Sequence, residues 1–222
     1  MKVEDNIKVR QSPEDYDFLI EKLGRPWDDL YLERLGTELS PAGKTGIMLD
    51  VGIGTGLIVR EMARMPEYAG YRFVGLDYYP DMVQTCLEKV NNDGLGDRIE
   101  VVQGDAAKMD FPDRYFDVVM SRATLHHLAD PSDALREKYR VLKPGGICLI
   151  HDIRRDAPAE TLEKFTEFRA KLNMPPTIIE EKFTMPEMEH FIEKAGLTGI
   201  ARLVTQDSGI GSLGFEVFFT KR

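Results

Sequence analysis

The chain has 222 residues, 42% of them apolar and 30% charged, with a formal charge of −9 at pH 7. This is the size and texture of one globular domain with a core that needs no staples, and the acidic balance argues against nonspecific grip on a nucleic-acid backbone. Its two cysteines, Cys86 and Cys148, lie in apolar runs without metal-ligand spacing and read as reduced core residues, so no metal is expected.

Residues 12–39 read as two helices broken at Gly24-Arg25-Pro26, because Tyr16, Leu19, Ile20 and Leu23, then Leu30, Tyr31 and Leu35, recur at helical spacing. Residues 1–42 are therefore taken as an N-terminal helical lid and 43–222 as the main domain. From residue 46 strands and helices alternate, with strands expected at 46–51, 71–77, 98–103, 116–121 and 146–152. Their near-continuous apolar runs suit strands covered on both faces. Val83, Cys86, Leu87 and Val90 form a one-face stripe, and Asp130-Pro131-Ser132-Asp133 opens a helix that Lys143-Pro144-Gly145-Gly146 stops. Residues 157–195 read as a helical segment on the substrate side, with Thr184-Met185-Pro186-Glu187 as a capping box. Two last strands, near 198–205 and 213–220, make a hairpin. The expected fold is α/β: a doubly wound, mostly parallel, seven-stranded sheet with one antiparallel edge strand.

The most informative stretch is Met48-Leu-Asp-Val-Gly-Ile-Gly-Thr-Gly56, a strand breaking into a glycine turn. Its glycines, Gly52, Gly54 and Gly56, do not match the G-x-G-x-x-G dinucleotide fingerprint, and the Gly-Lys-Ser/Thr of a phosphate loop is absent. Three acids follow successive strands. Asp50 can hold a water or an ammonium, Asp77 suits a pair of ribose hydroxyls, and Asp105 can accept from an exocyclic amine. Each could instead cap a turn. The pattern points to a nucleoside-containing ligand and away from phosphate chemistry.

Leu49–Gly56, Val74–Asp77, Gln103–Ala106, Phe116–Val119 and Arg140–Gly146 together resemble the class I S-adenosylmethionine-dependent methyltransferases. The likeness is to small-molecule members such as those of quinone, sterol and secondary-metabolite pathways, and it covers roughly residues 46–152. It implies S-adenosylmethionine as cofactor and methyl transfer to an O, N or C nucleophile of a small-molecule acceptor. In that setting the glycine turn approaches the methionine moiety and Asp77 binds the ribose. Tyr78 and Met82 lie near the adenine, Asp105 with Ala106 holds its edge, and Ser121 with Arg122 faces the sulfonium. Met82 reads equally well as an ordinary helix-face residue.

His126 and His127 follow the fourth strand, where acceptor and methyl group should meet. His126 is the candidate general base, with positioning and plain structural hydrogen bonding as its other readings. Asp152 and Arg154 could select a polar or anionic acceptor, or Arg154 could simply pair with Asp156. Trp27, Tyr31 and Tyr16 line an acceptor pocket or pack the core. The rival readings are a nicotinamide oxidoreductase and a protein of the same fold that binds the cofactor without methylating. An acidic N-terminus and the lack of an apolar run of about 20 residues lead to the expectation of a cytoplasmic protein without membrane insertion, for which a homodimer is an allowed assembly.

Overall fold

The computed structural model describes residues 12–19, 25–39, 45–173 and 176–222. Seven strands form one sheet: β1 (Thr45–Val51), β2 (Gly70–Asp77), β3 (Ile99–Gln103), β4 (Phe116–Arg122), β5 (Leu142–Ile153), β6 (Arg202–Val204) and β7 (Gly214–Thr220), in the order β3-β2-β1-β4-β5-β7-β6. The helices are α1 (Pro13–Leu19), α2 (Arg25–Leu39), α3 (Leu57–Met62), α4 (Pro80–Asn92), α5 (Ser132–Val141), α6 (Ala159–Lys171) and α7 (Met185–Lys194). The division expected at 42/43 falls outside the described residues, as does the side chain of Tyr16.

Alternation along the central strands assigns each side chain to one of two helical layers. Met48, Met120 and Leu149 share one core with Tyr31, Leu35, Met62 and Cys86, contributed by α2, α3 and α4. Leu49, Val119, Cys148 and Ile150 share the other with Leu135, Met188 and Ile192, contributed by α5 and α7. Both faces are dry, which is why these strands read as unbroken apolar runs. Cys86 and Cys148 are both free and buried.

β1 through β5 pair in parallel, and β7 runs antiparallel to both β5 and β6. The reversed strand therefore lies one place in from the edge. The seven-residue β7 pairs with β5 from Ile147↔Thr220 to Ile153↔Gly214 and buries Phe215, Val217 and Phe219. The three-residue β6 is left outermost, because a run that short buries little on either face. β5 begins at Leu142, earlier than expected. Leu142 pairs with Phe116 across an irregularity, and Gly145 at φ +80° donates to the Lys221 carbonyl at 2.8 Å.

The helical segment expected on the substrate side divides in two. The apolar face of α7 joins the core beside α5, held at its start by Thr184 and Glu187, which bond each other's backbone amides. Only α6 covers the ligand end, packing Leu162 and Phe165 against Trp27, Ile153 and Leu213.

Candidate active site

The strand order reverses direction between β1 and β4, and ligands of open α/β sheets bind outside the carboxyl ends of the strands at such a point. The turn after β1 sits there. Gly52, Gly54 and Gly56 all have positive φ, at 82°, 56° and 79°. Only glycine fits at Gly52, where a Cβ would collide with the Thr124 side chain, while one at Gly56 would lie 2.6 Å from Cys86 Sγ. The glycines thus let the Thr124 and Cys86 side chains pack directly against the turn's backbone.

Asp50 and Asp77 end β1 and β2 and are both buried. Asp77 accepts from the Gly54 amide at 2.8 Å and the Tyr79 amide at 3.0 Å, so it fastens the glycine turn to the start of α4. Burial and the neighbouring Asp77 push Asp50 up to about 7, against the pull of Arg122 and Lys138. Two carboxyls in one dry crevice, one of them lifted to neutrality, make a site that a cation would stabilise. Met82 is buried in the first turn of α4, and Tyr78 is exposed with its ring edge-on to Tyr79.

Asp105 lies one strand over, next to Gly104, whose amide donates to the Asp77 carbonyl at 2.9 Å. β3 ends at Gln103, and Asp105 lies two residues further on, accepting from the Ala107 amide at 2.8 Å and bridging to Lys108. It caps its own turn, with half-buried Ala106 packed toward the core beside it. Ser121 is fully buried and its hydroxyl donates to the Val51 carbonyl at 2.7 Å, tying β4 to β1. Arg122 forms a buried ion pair with Asp28 of α2 at 2.7 Å, which pins the lid to the end of β4. Both groups thus have protein partners where the sequence reading turned them toward the sulfonium. The reason is tertiary: α2 crosses the end of β4 and delivers Asp28.

Past Arg122 the chain turns through Ala123 at φ +51°, a left-handed conformation uncommon for a residue with a Cβ and found at functional turns. Thr124 then touches the glycine turn, and His126 follows. Asp152, at the end of β5, takes the His126 backbone amide at 3.1 Å on one oxygen and His126 Nδ1 at 2.7 Å on the other, which also accepts from the Ile153 amide at 2.8 Å. Burial would raise the Asp152 carboxyl, but His126 and these hydrogen bonds hold it down at about 2. An ionised Asp152 fixes the tautomer with the proton on Nδ1 and leaves Nε2 as the basic nitrogen. His127 lies beside His126, ring centroids 4.1 Å apart, and is exposed.

Trp27 and Tyr31 are both buried, and Tyr31 also lines a cavity of about 350 Å³ with His151, Phe215 and Glu216. Tyr31 donates to the Leu149 carbonyl at 2.9 Å, and Trp27 donates to the Ile210 carbonyl at 2.8 Å and stacks near Phe165. Arg154 pairs with Asp156 at 2.8 Å. One contact had no readable signal: Asp17 of α1 accepts from Thr55 and pairs with Lys89, bringing the first helix over the glycine turn. Among the described residues no group of His, Cys, Asp and Glu has the makings of a metal site, and no helix is long and apolar enough to cross a membrane.

The methyltransferase domain family matches residues 49–150, the segment that carries the glycine turn, both buried acids and the His126 loop. Over that segment the chain is a methyltransferase domain of the class I S-adenosylmethionine-dependent type. Among curated proteins it is 36% identical over 118 residues to the ubiquinone/menaquinone biosynthesis C-methyltransferase UbiE of Stutzerimonas stutzeri, covering 53% of this chain and 46% of that one. It is 33% identical over 129 residues to an uncharacterized chloroplastic methyltransferase of Arabidopsis thaliana, covering 57% and 36%. The chain spans half or less of the length of these two relatives. A provisionally named S-adenosyl-L-methionine-dependent methyltransferase structure from Methanococcus maripaludis superimposes with TM-score 0.74 over 96% of both chains at 22% identity, a likeness of fold.

Proposed function

We propose that this methyltransferase-family protein moves a methyl group from S-adenosylmethionine to an O, N or C nucleophile of a small-molecule acceptor. The observation that carries the reading is the buried Asp50–Asp77 pair beside the glycine turn, with His126, on the loop that touches that turn, paired to Asp152 of β5. The residues suit this donor on independent counts. The left-handed glycines let the chain turn sharply at the end of β1, beside the carboxyl pair, and that pair favours a ligand carrying ammonium and sulfonium charge. Asp77 can exchange its loop amides for ribose hydroxyls, Tyr78 and Met82 border the adenine side, and Ala106 with Asp105 borders its edge.

When bound, S-adenosylmethionine supplies an electrophilic methyl carbon. The protein's part is alignment, exclusion of water and proton management. Holding two reactants in line can lower a barrier by up to ~7–11 kcal/mol. His126 Nε2 takes the proton of an acceptor hydroxyl or amine, and Asp152 stabilises the imidazolium that results. Ser121 and Arg122 act at one remove, by fixing the end of β4 and the lid.

Calorimetric titration with S-adenosylhomocysteine, together with labelled-methyl transfer across a panel of phenols, amines and carbon acids, tests the reading. Saturable binding and label on an acceptor are expected. Binding without transfer to any acceptor would favour a cofactor-binding role such as cyclisation. Absence of S-adenosylhomocysteine binding alongside uptake of a nicotinamide dinucleotide would sink the proposal.

A further inference from the structure

A cavity of about 350 Å³ lies between α2 and the β7-β6 edge of the sheet, at the small end of the range of roughly 300–1,000 Å³ for ligand pockets. Strand register builds its floor. His151 of β5 stands opposite Glu216 of β7, which in turn stands opposite Val204 of β6, so the three side chains form one row across the sheet. Directly opposed residues have Cβ atoms roughly 4.5–5.5 Å apart, which sets the imidazole and the carboxyl side by side. The row faces α2, because Leu149 and Phe218, each two residues away along its strand, share a core with Tyr31. Leu30, Tyr31 and Arg34 of α2 roof it. Among the described residues its lining includes none from the glycine turn, the Asp50–Asp77 pair or the His126 loop.

His151 is 8% exposed, and neither of its ring nitrogens has a hydrogen-bond partner among the described residues. Aromatic contacts hold the ring, edge-on to Trp27 with centroids 5.1 Å apart and tilted against Tyr31 at 6.3 Å. Burial and Arg122 lower it to about 4, against the pull of Asp152, so the imidazole is neutral at pH 7. The space in front of Nε2 depends on Gly214, since a Cβ there would lie 2.8 Å from that nitrogen. A buried polar group that lines a cavity without a protein partner costs free energy unless something in the cavity bonds it. The surrounding charge is negative. Glu33 and Glu216 line the cavity against one cation among the described residues, Arg34, which Glu38 holds at 2.6 Å and Glu216 at 3.3 Å. Burial raises the Glu216 carboxyl in spite of Arg34, so the carboxylate gains from a further cation.

We propose that this cavity is a second ligand site, apart from the site of methyl transfer, and that it takes a small amine with an apolar body. The ammonium lies against Glu216 and donates to the neutral His151, while the hydrocarbon packs on Leu30, Val204 and the Tyr31 ring. An anion is disfavoured, because it would meet Glu33 and Glu216, and Arg34 is already shared between two carboxylates. The assignment does not depend on the methyltransferase reading.

The test is calorimetric titration of the full chain at pH 7 with phenethylamine, 2-phenylethanol and 3-phenylpropionate, with and without saturating S-adenosylhomocysteine. Phenethylamine is expected to bind at least tenfold more tightly than the alcohol or the acid, with a constant that S-adenosylhomocysteine changes less than twofold. Glu216→Gln and His151→Phe should each weaken it at least fivefold. Val204→Trp, which adds bulk from an exposed position on the cavity wall, should abolish it. Urea midpoints establish that the variants fold, and the exposed Val204 substitution decides the matter if either of the others does not. Equal binding of the three compounds, no binding of the amine, or unchanged amine affinity in folded Glu216→Gln or Val204→Trp overturns the proposal. So does loss of amine binding under S-adenosylhomocysteine, or transfer of labelled methyl to phenethylamine, since either would put the amine in the transfer site. If S-adenosylhomocysteine fails to bind, the methyltransferase reading falls, and the amine selectivity and the variants still decide the second site.

Discussion

Replacing Asp152 by asparagine separates the electrostatic part of the dyad from its shape. Asp152 is 1% exposed and accepts three N–H groups, two of them from His126. Asparagine keeps one acceptor oxygen and places an NH2 against a donor, so at least one charged hydrogen bond is lost, worth about 1.5–3 kcal/mol. A second route gives a similar size. A carboxyl held at about 2 in the fold, against about 3.9 in the unfolded chain, contributes about 2–3 kcal/mol at neutral pH. Because the folded value is the lower one, that stability is complete above about pH 4 and is lost as pH falls toward 2. Urea denaturation should therefore show Asp152→Asn less stable than the parent by about 2–3 kcal/mol at pH 7, with the gap constant down to about pH 4 and shrinking below it. In the methyl-transfer assay, turnover should fall 10- to 100-fold while S-adenosylhomocysteine affinity stays within twofold. Equal stability at pH 7 would refute the charged contact. Lost stability with full turnover would leave Asp152 a structural residue and end the case for His126 as a base.

Asp77→Ala should weaken S-adenosylhomocysteine at least tenfold by calorimetry, and an unchanged constant would remove the ribose assignment. Asp50, lifted to about 7, should make that affinity rise by up to about tenfold between pH 6 and 8 as its ionised fraction grows, and Asp50→Asn should flatten the profile. A profile that persists in Asp50→Asn assigns the dependence elsewhere. Lys138 is fully buried with an unpartnered ammonium, and burial lowers it to about 8. Its folded value lies below the unfolded one near 10.4, so the penalty is full below pH 8 and gone above about 10.4. Lys138→Met should thus gain up to about 3 kcal/mol at pH 7 by urea melt, and a loss of more than about 1 kcal/mol would show the charge to be needed. Arg122→Met breaks the buried ion pair with Asp28 and should cost about 3–5 kcal/mol, a loss that Asp28→Asn in the same chain should reduce.

The sequence by itself determined the alternation of strands and helices, the glycine turn and the acids Asp50 and Asp77 at the ends of β1 and β2. Those features are local: apolar period, turn chemistry and position within a strand are written in neighbouring residues. The α7 capping box and the Arg154–Asp156 pair were legible for the same reason. What Ser121, Arg122 and Asp105 do with their polar atoms was not. Each sits where a ligand contact is reasonable, yet Ser121 bonds Val51 across the sheet, Arg122 meets Asp28 of the lid, and Asp105 turns back on Ala107. Only the tertiary structure decided that His126 leans on Asp152, because the two come from separate crossovers of one sheet and meet only where β4 and β5 pair side by side.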